Sequence, residues 1–150
     1  MSEADLTELR SKLRKSMIGL LARREQSCLE LLHKMQKKGF DDDLIEENIS
    51  DFTERGWQSD QRYAVMIVRS RILKQHGPTK ITFELKQKGV SSHIIDRALD
   101  IDFDWQSLAL EAKEKKFSSQ ILNQKDKEKL YRFLQQRGFN SQHIRFAMNS

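Results

Sequence analysis

The sequence predicts an all-α fold: three tandem three-helix repeats forming an elongated, curved array. Three observations carry this expectation. A helical pattern ending in glycine is written three times, closing at Gly39, Gly89 and Gly138, with spacings of 50 and 49 residues. No stretch alternates apolar and polar residues with the period of two that a half-buried strand requires. Six glycines and one proline in 150 residues are too few for the turns of a β fold.

Each copy of the pattern follows one logic. Leu31, Ile81 or Leu130 sits eight residues before its glycine, and Met35, Leu85 or Leu134 four before it. That spacing puts two apolar side chains on one helix face. Lys38, Lys88 or Arg137 comes directly before the glycine, at the negative end of the helix dipole. The glycine supplies the left-handed stop, and Phe40, Val90 or Phe139 turns back toward the core. Asp41, Ser91 and Asn140 follow as N-caps. On the next helix the apolar pair returns as Ile45 and Ile49, Ile95 and Leu99, Ile144 and Met148. The unit is helix, tight glycine corner, helix.

A further helix precedes each pair. In the first repeat, residues 1–56, Ser2 to Asp5 reads as a capping box, and Leu6, Leu9, Leu13, Met17, Leu20 and Leu21 line one helix face. Ser27-Cys28-Leu29-Glu30 is a second capping box, and the third helix runs from Asp42 to Arg55, stopping at Gly56. In the second repeat, residues 57–103, Ser59 caps a helix bearing Tyr63, Ala64, Ile67 and Val68, which ends at Gln75-His76-Gly77. Pro78 then opens a helix where its missing N–H costs nothing. In the third repeat, residues 104–150, Asp104 caps Trp105–Lys116, Ser118–Gln124 reads as a polar loop, and a helix from about Lys125 leads to the Gly138 corner. Trp57 and Trp105 fall at the two hand-overs and are expected to pack between units.

Charged residues make up 33% of the chain and apolar residues 37%, against roughly 25% charged in an average domain. Both shifts suit an array with much surface per unit of core. A net charge of +5 and a pI near 9.4 favour acidic partners, nucleic acid included. An ordinary solvated surface also accounts for the balance, because the 27 basic and 22 acidic residues are interleaved. The single cysteine, Cys28, excludes an internal disulfide and fits a reducing compartment. No apolar run approaches a membrane span, and the N-terminus lacks a signal-peptide core. A soluble, cytoplasmic monomer is expected.

No chemistry emerges from the motifs. His33, His76, His93, His143 and Cys28 lack zinc-site spacing. Asp41-Asp42-Asp43 lacks the alternation of a calcium loop and sits at a helix start, where carboxylates are stabilised anyway. There is no phosphate loop, dinucleotide fingerprint, nucleophile elbow or H-E-x-x-H. Neither an enzyme nor a cofactor or metal is expected, which leaves binding. The corners resemble helix-turn-helix units. The candidate partner or DNA contacts are Arg23, Arg24, Arg69, Arg71, Lys86, Lys88, Lys113, Lys115, Lys116 and Arg137.

Leu20 to Ser27, followed by Glu30-Leu31 and Lys37-Lys38-Gly39-Phe40, resembles the first repeat of the bacterial RecX family. Asp60 to Ala64, Arg69, Arg71, Gly77-Pro78, Ile81, Glu84-Leu85 and Lys88-Gly89-Val90 resemble its second, and Arg132 to Phe139 its closing signature. Gln26 departs from the family's usual histidine, and Trp57-Gln58-Ser59 from its tyrosine-leucine-aspartate. The resemblance implies a regulator of RecA recombinase in DNA repair and the SOS response. Such a protein binds the groove of the RecA–single-stranded-DNA filament and inhibits strand exchange and ATP hydrolysis. The other reading is a helical repeat protein that binds DNA directly, without RecA.

Overall fold

In a computed structural model, residues 2–117 and 123–150 are described, and among them the chain forms nine α-helices and no strand. The first unit holds α1 (Glu3–Arg23), α2 (Cys28–Lys37) and α3 (Asp42–Glu54). The second holds α4 (Asp60–Leu73), α5 (Pro78–Gln87) and α6 (Ser92–Leu99); the third holds α7 (Trp105–Lys116), α8 (Gln124–Gln136) and α9 (Ser141–Met148). Most of the loop expected at Ser118–Gln124 lies outside the described residues. Gln124 itself is helical, and Asn123 caps α8 by accepting from the Asp126 amide at 2.9 Å.

Helix starts follow from side-chain chemistry. Ser27 accepts from the Glu30 amide at 3.1 Å while Glu30 accepts from the Ser27 amide at 3.1 Å, so both arms of that capping box close. At Ser2 only the serine arm forms, from the Asp5 amide. Asn140 builds a box the sequence does not advertise, in which the His143 ring nitrogen accepts from the Asn140 amide. The corners at Gly39, Gly89 and Gly138 are left-handed, as is Gly56. The helix before Gly77 ends differently: Gln75 takes the left-handed turn at φ 60°, and Gly77 stays extended.

Each unit closes its own core. Leu13, Met17, Leu31, Met35, Ile45 and Phe52 pack together in the first. Tyr63, Ile67, Ile81, Leu85 and Ile95 do so in the second, and Leu108, Leu130, Leu134, Phe139 and Ile144 in the third. The apolar pair before each corner glycine is completely buried. Burying one such side chain stabilises by roughly 1.5–3 kcal/mol.

The joints between units repeat as well. The corner of each later unit docks on the start of the second helix of the unit before it. A Cβ added at Gly89 would come within 2.8 Å of the Leu29 Cβ, ten residues before Gly39. A Cβ at Gly138 would overlap the Lys80 Cβ, and one at Gly77 would overlap the Gly138 carbonyl. At this second joint the Gly77 amide donates to the Arg137 carbonyl at 2.7 Å, and the Thr79 amide to the Gly138 carbonyl at 3.0 Å. Helix α5 has no side-chain cap of its own. The Gly77 N–H that precedes it and the Thr79 N–H in its first turn are satisfied instead by carbonyls at the end of α8. Arg137 adds a bond to the Lys74 carbonyl at 2.9 Å.

The first joint relies on polar side chains. The Cys28 amide donates to Asp60 at 3.0 Å, the Gln58 side chain donates to the Gln26 carbonyl at 3.1 Å, and Arg62 pairs with Glu25 at 3.0 Å. Gly39 has no unit before it, and nothing lies within 4 Å of its added Cβ. Among the described residues, no hydrogen bond or ion pair links the first unit to the third.

One tryptophan joins units and the other does not. Trp105 packs against both the second and third cores. Trp57 stays on the first unit, 45% exposed, with its ring edge-on to Phe52 at 5.1 Å and the Arg55 guanidinium 5.1 Å above it. Its neighbour Gln58 takes the buried place at the joint instead. That amide donates to Gln26 and Asp60 and accepts from Thr53 and Cys28, which turns Trp57 outward.

Two outcomes follow from the joints. Gly39→Ala meets only the left-handed backbone penalty and should cost about 1 kcal/mol, whereas Gly138→Ala adds a clash with Lys80 and should cost about 3 kcal/mol. Urea unfolding of the two variants checks the difference. The second concerns His76, beside this joint, whose buried Nδ1 has no hydrogen-bond partner. Burial, then the charges of Lys80, Arg137 and Arg71, push its pKa down to about 4. The unfolded chain takes up that proton first, so stability is complete above pH 6.5 and is lost as pH falls toward 4. This amounts to about 2 kcal/mol given partial exposure. His76→Gln, the residue that Gln26 already supplies at the equivalent place, should flatten the stability profile in that window.

Candidate functional site

The ends of α1 and α2 meet the faces of α4 and α5 around a cleft of about 350 Å³ between the first two units. Its walls carry both signs of charge. Arg24 follows α1 in an extended conformation, so its side chain crosses to the start of α2 and grips Glu30 with two parallel bonds of 3.1 and 3.0 Å. Lys88, the basic residue before the second corner, reaches the same carboxylate at 3.7 Å across the joint. Opposite, Arg71 of α4 forks onto Glu84 of α5, with Nε to Oε1 at 2.8 Å. Tyr63 lies fully buried beneath, and Met66, Ile67 and Ser70 complete the lining.

Electrostatics fix this arrangement. Burial pushes the Glu30 carboxyl up, but Arg24, the Ser27 amide and Lys34 together hold it below the usual carboxylate range. The Arg71 fork holds Glu84 below that range as well. Desolvation, with the Glu30 charge added, pushes the Tyr63 hydroxyl up to about 12, so it remains protonated. Lys34 is pushed down by burial and by Arg24 and Lys88 nearby. A carboxylate fork uses two of the five N–H donors of an arginine. The remaining donors of pre-oriented guanidiniums suit oxyanions such as phosphate or carboxylate. Among the described residues, no group of three His, Cys, Asp or Glu could hold a metal ion, and the cleft offers no nucleophile beside a base.

Of the ten basic residues picked out in the sequence, Arg24, Arg71 and Lys88 line this cleft. Arg69 and Lys86 are exposed on the same two helices of the second unit, and Arg23 is exposed at the end of α1. Lys113 is turned inward, with Nζ donating to the Ala147 carbonyl at 3.0 Å and the Ser150 carbonyl at 2.9 Å. Lys115 is exposed, Lys116 lies 5.9 Å from the Phe133 ring, and Arg137 sits 5.1 Å above the same ring while bonding Lys74. Glu30, Glu84 and Tyr63 escape a search for cations, since acids matter here by orienting the arginines. A second omission is the set Arg10, Lys12, Arg14 and Lys15 along α1, which leads to the candidates Arg23 and Arg24 with no acidic residue among positions 10–24. Counting charge helix by helix exposes it.

The fold is an all-α array of tandem three-helix domains. Models of the RecX family match the chain domain by domain: the first three-helix domain over residues 14–51, the second over 59–99 and the third over 103–148. Regulatory protein RecX of Haemophilus influenzae (strain PittEE) is 40% identical over 129 residues, covering 83% of this chain and 85% of that protein. The corresponding protein of Halorhodospira halophila is 33% identical over 149 residues, covering 98% and 91%. The crystal structure of RecX from Lactobacillus salivarius superposes with a TM-score of 0.80 at 21% identity, over 95% of this chain and 96% of that one. The chain belongs to the RecX family of regulatory proteins. No helix among its described residues is long and apolar enough to cross a membrane.

Removing one arm of a cleft ion pair should cost more than removing both. Glu84→Ala leaves the Arg71 guanidinium, about a fifth exposed, without its partner and should destabilise by about 2 kcal/mol. The double variant Arg71→Met with Glu84→Ala should recover part of that loss. A thermodynamic cycle from urea unfolding measures the coupling.

Proposed function

We propose that the chain regulates RecA recombinase by lying in the helical groove of the RecA–single-stranded-DNA filament, where it restrains strand exchange and ATP hydrolysis. The observation that carries this reading is the pair of joints. Units set corner against helix start keep a fixed separation, so one monomer can span neighbouring protomers, each unit adding contact without the entropic cost of a flexible tether. Units one and three grip different protomers, and unit two sets their spacing. Arg24, Arg71 and Lys88 in the cleft supply contacts for phosphates or acidic side chains of the filament, and exposed Arg69 and Lys86 offer further cations on the same two helices of the second unit. Arg23 at the end of α1 and Lys115 and Lys116 at the end of α7 are further exposed cations for such contacts.

Titrating the protein into RecA hydrolysing ATP on single-stranded DNA tests the reading; inhibition is expected at protein well below RecA. A flexible Gly-Ser insertion between Ile101 and Asp104 should leave each unit folded and weaken inhibition at least about tenfold. An unchanged titration with the insertion would remove the spanning argument.

The basic run on α1 favours a second reading, direct binding to DNA. Its signature is tight binding to naked DNA that falls steeply with salt, with no effect on RecA. The filament reading requires binding that depends on RecA and survives moderate salt better.

A further inference from the structure

The charge of α3 runs one way. Residues 41–54 carry seven acidic side chains and no basic one, in a chain whose net charge is +5. The α1 side neutralises part of this: Arg14 pairs with Asp51 at 2.8 Å, and Arg10 reaches Glu47 at 3.9 Å. Glu46 and Glu54 belong to another face of α3 and have no cationic partner among the described residues. Both line an open groove of about 560 Å³ between α2 and α3, whose apolar lining is Leu29, Leu32 and Ile49. The Gly89 corner of the second unit also lines it.

We propose that this groove docks a basic amphipathic helix of a protein partner. The partner's apolar stripe would lie on Leu29, Leu32 and Ile49, with a lysine or arginine on each of Glu46 and Glu54. Eight residues of helix separate the two carboxylates by about 12 Å, the spacing of two helical turns on a partner presenting anchors at i and i+7 or i+8. The sign of the charge selects against nucleic acid, whose phosphates these carboxylates repel. It also argues against a second copy of this chain. The chain's own basic helix, α1, has Leu13 and Met17 buried in the first core, so its apolar stripe is already used. The inference goes beyond the RecA reading and does not depend on it.

The test uses the full chain and a fluorescent, roughly 18-residue Leu/Lys amphipathic peptide, with binding followed by anisotropy at moderate salt. Saturable one-to-one binding is expected. Glu46→Lys with Glu54→Lys, both exposed, should weaken it at least about tenfold. Ser50→Trp, which fills the groove from an exposed position without changing charge, should weaken it similarly. Asp42→Lys with Asp43→Lys makes the same charge change at the start of α3, outside the groove lining, and should stay within about twofold. Thermal unfolding of each variant separates lost binding from lost fold. Equal loss in the Asp42/Asp43 variant, or full binding by Ser50→Trp, would reduce the effect to diffuse electrostatics and overturn the proposal. So would a dimer of the unliganded chain, seen in sedimentation, that Ser50→Trp dissolves, because it assigns the groove to a second copy.

Discussion

A corner glycine set against the start of the preceding unit's second helix is the contact on which the rest of this molecule depends. At Gly138 and Gly77 the approach is backbone to backbone, and the Arg137 and Gly138 carbonyls at the end of α8 accept from the Gly77 and Thr79 amides at the start of α5. No rotamer change can open space there. Units of about 50 residues bury too little surface to be robust alone. Joining them so that one unit supplies another's helix cap couples their stabilities, as in other repeat arrays. The same contact fixes how far apart the outer units lie, and any function that uses both of them inherits that distance.

Charge is distributed over this frame with more order than the overall balance suggests. The basic run of α1 lies against an acidic α3, and part of each is spent on the other through Arg10, Arg14, Glu47 and Asp51. What remains on the outer faces differs in sign: cations gather around the cleft between units one and two, and carboxylates border the groove between α2 and α3. In the cleft, Glu30 and Glu84 serve chiefly to aim arginines. Removing either carboxylate alters what Arg24 or Arg71 presents as well as how firmly the units hold together.

Much of the fold was legible in the sequence because its determinants are local. A left-handed glycine, a capping serine or asparagine and an i, i+4 apolar pair each act within one turn of helix, and all three recur at a fixed period. Ser27 with Glu30 and Asp104 before Trp105 could be read directly for the same reason. Features decided by contacts between units were not legible. Trp57 looks like a joint residue and is displaced by Gln58, which alone satisfies four polar partners there. Gln75 takes a left-handed turn that glycine usually takes, while Gly77 is reserved for close approach. Most of the basic candidates fall in short clusters along the chain. Arg24, Arg71 and Lys88 share one cleft only because the first joint brings α1, α4 and α5 together, and nothing in their separate neighbourhoods records that. The family resemblance rested on motif order, which the domain-by-domain matches bear out.

The most direct test of the central claim is the structure of the chain bound to RecA filaments on single-stranded DNA, determined by electron cryomicroscopy. The account predicts the first and third units on different RecA protomers within the groove, with the separation between Gly39 and Gly138 unchanged from that of the free chain. All three units on a single protomer, or outside the groove with the joints opened, would contradict it.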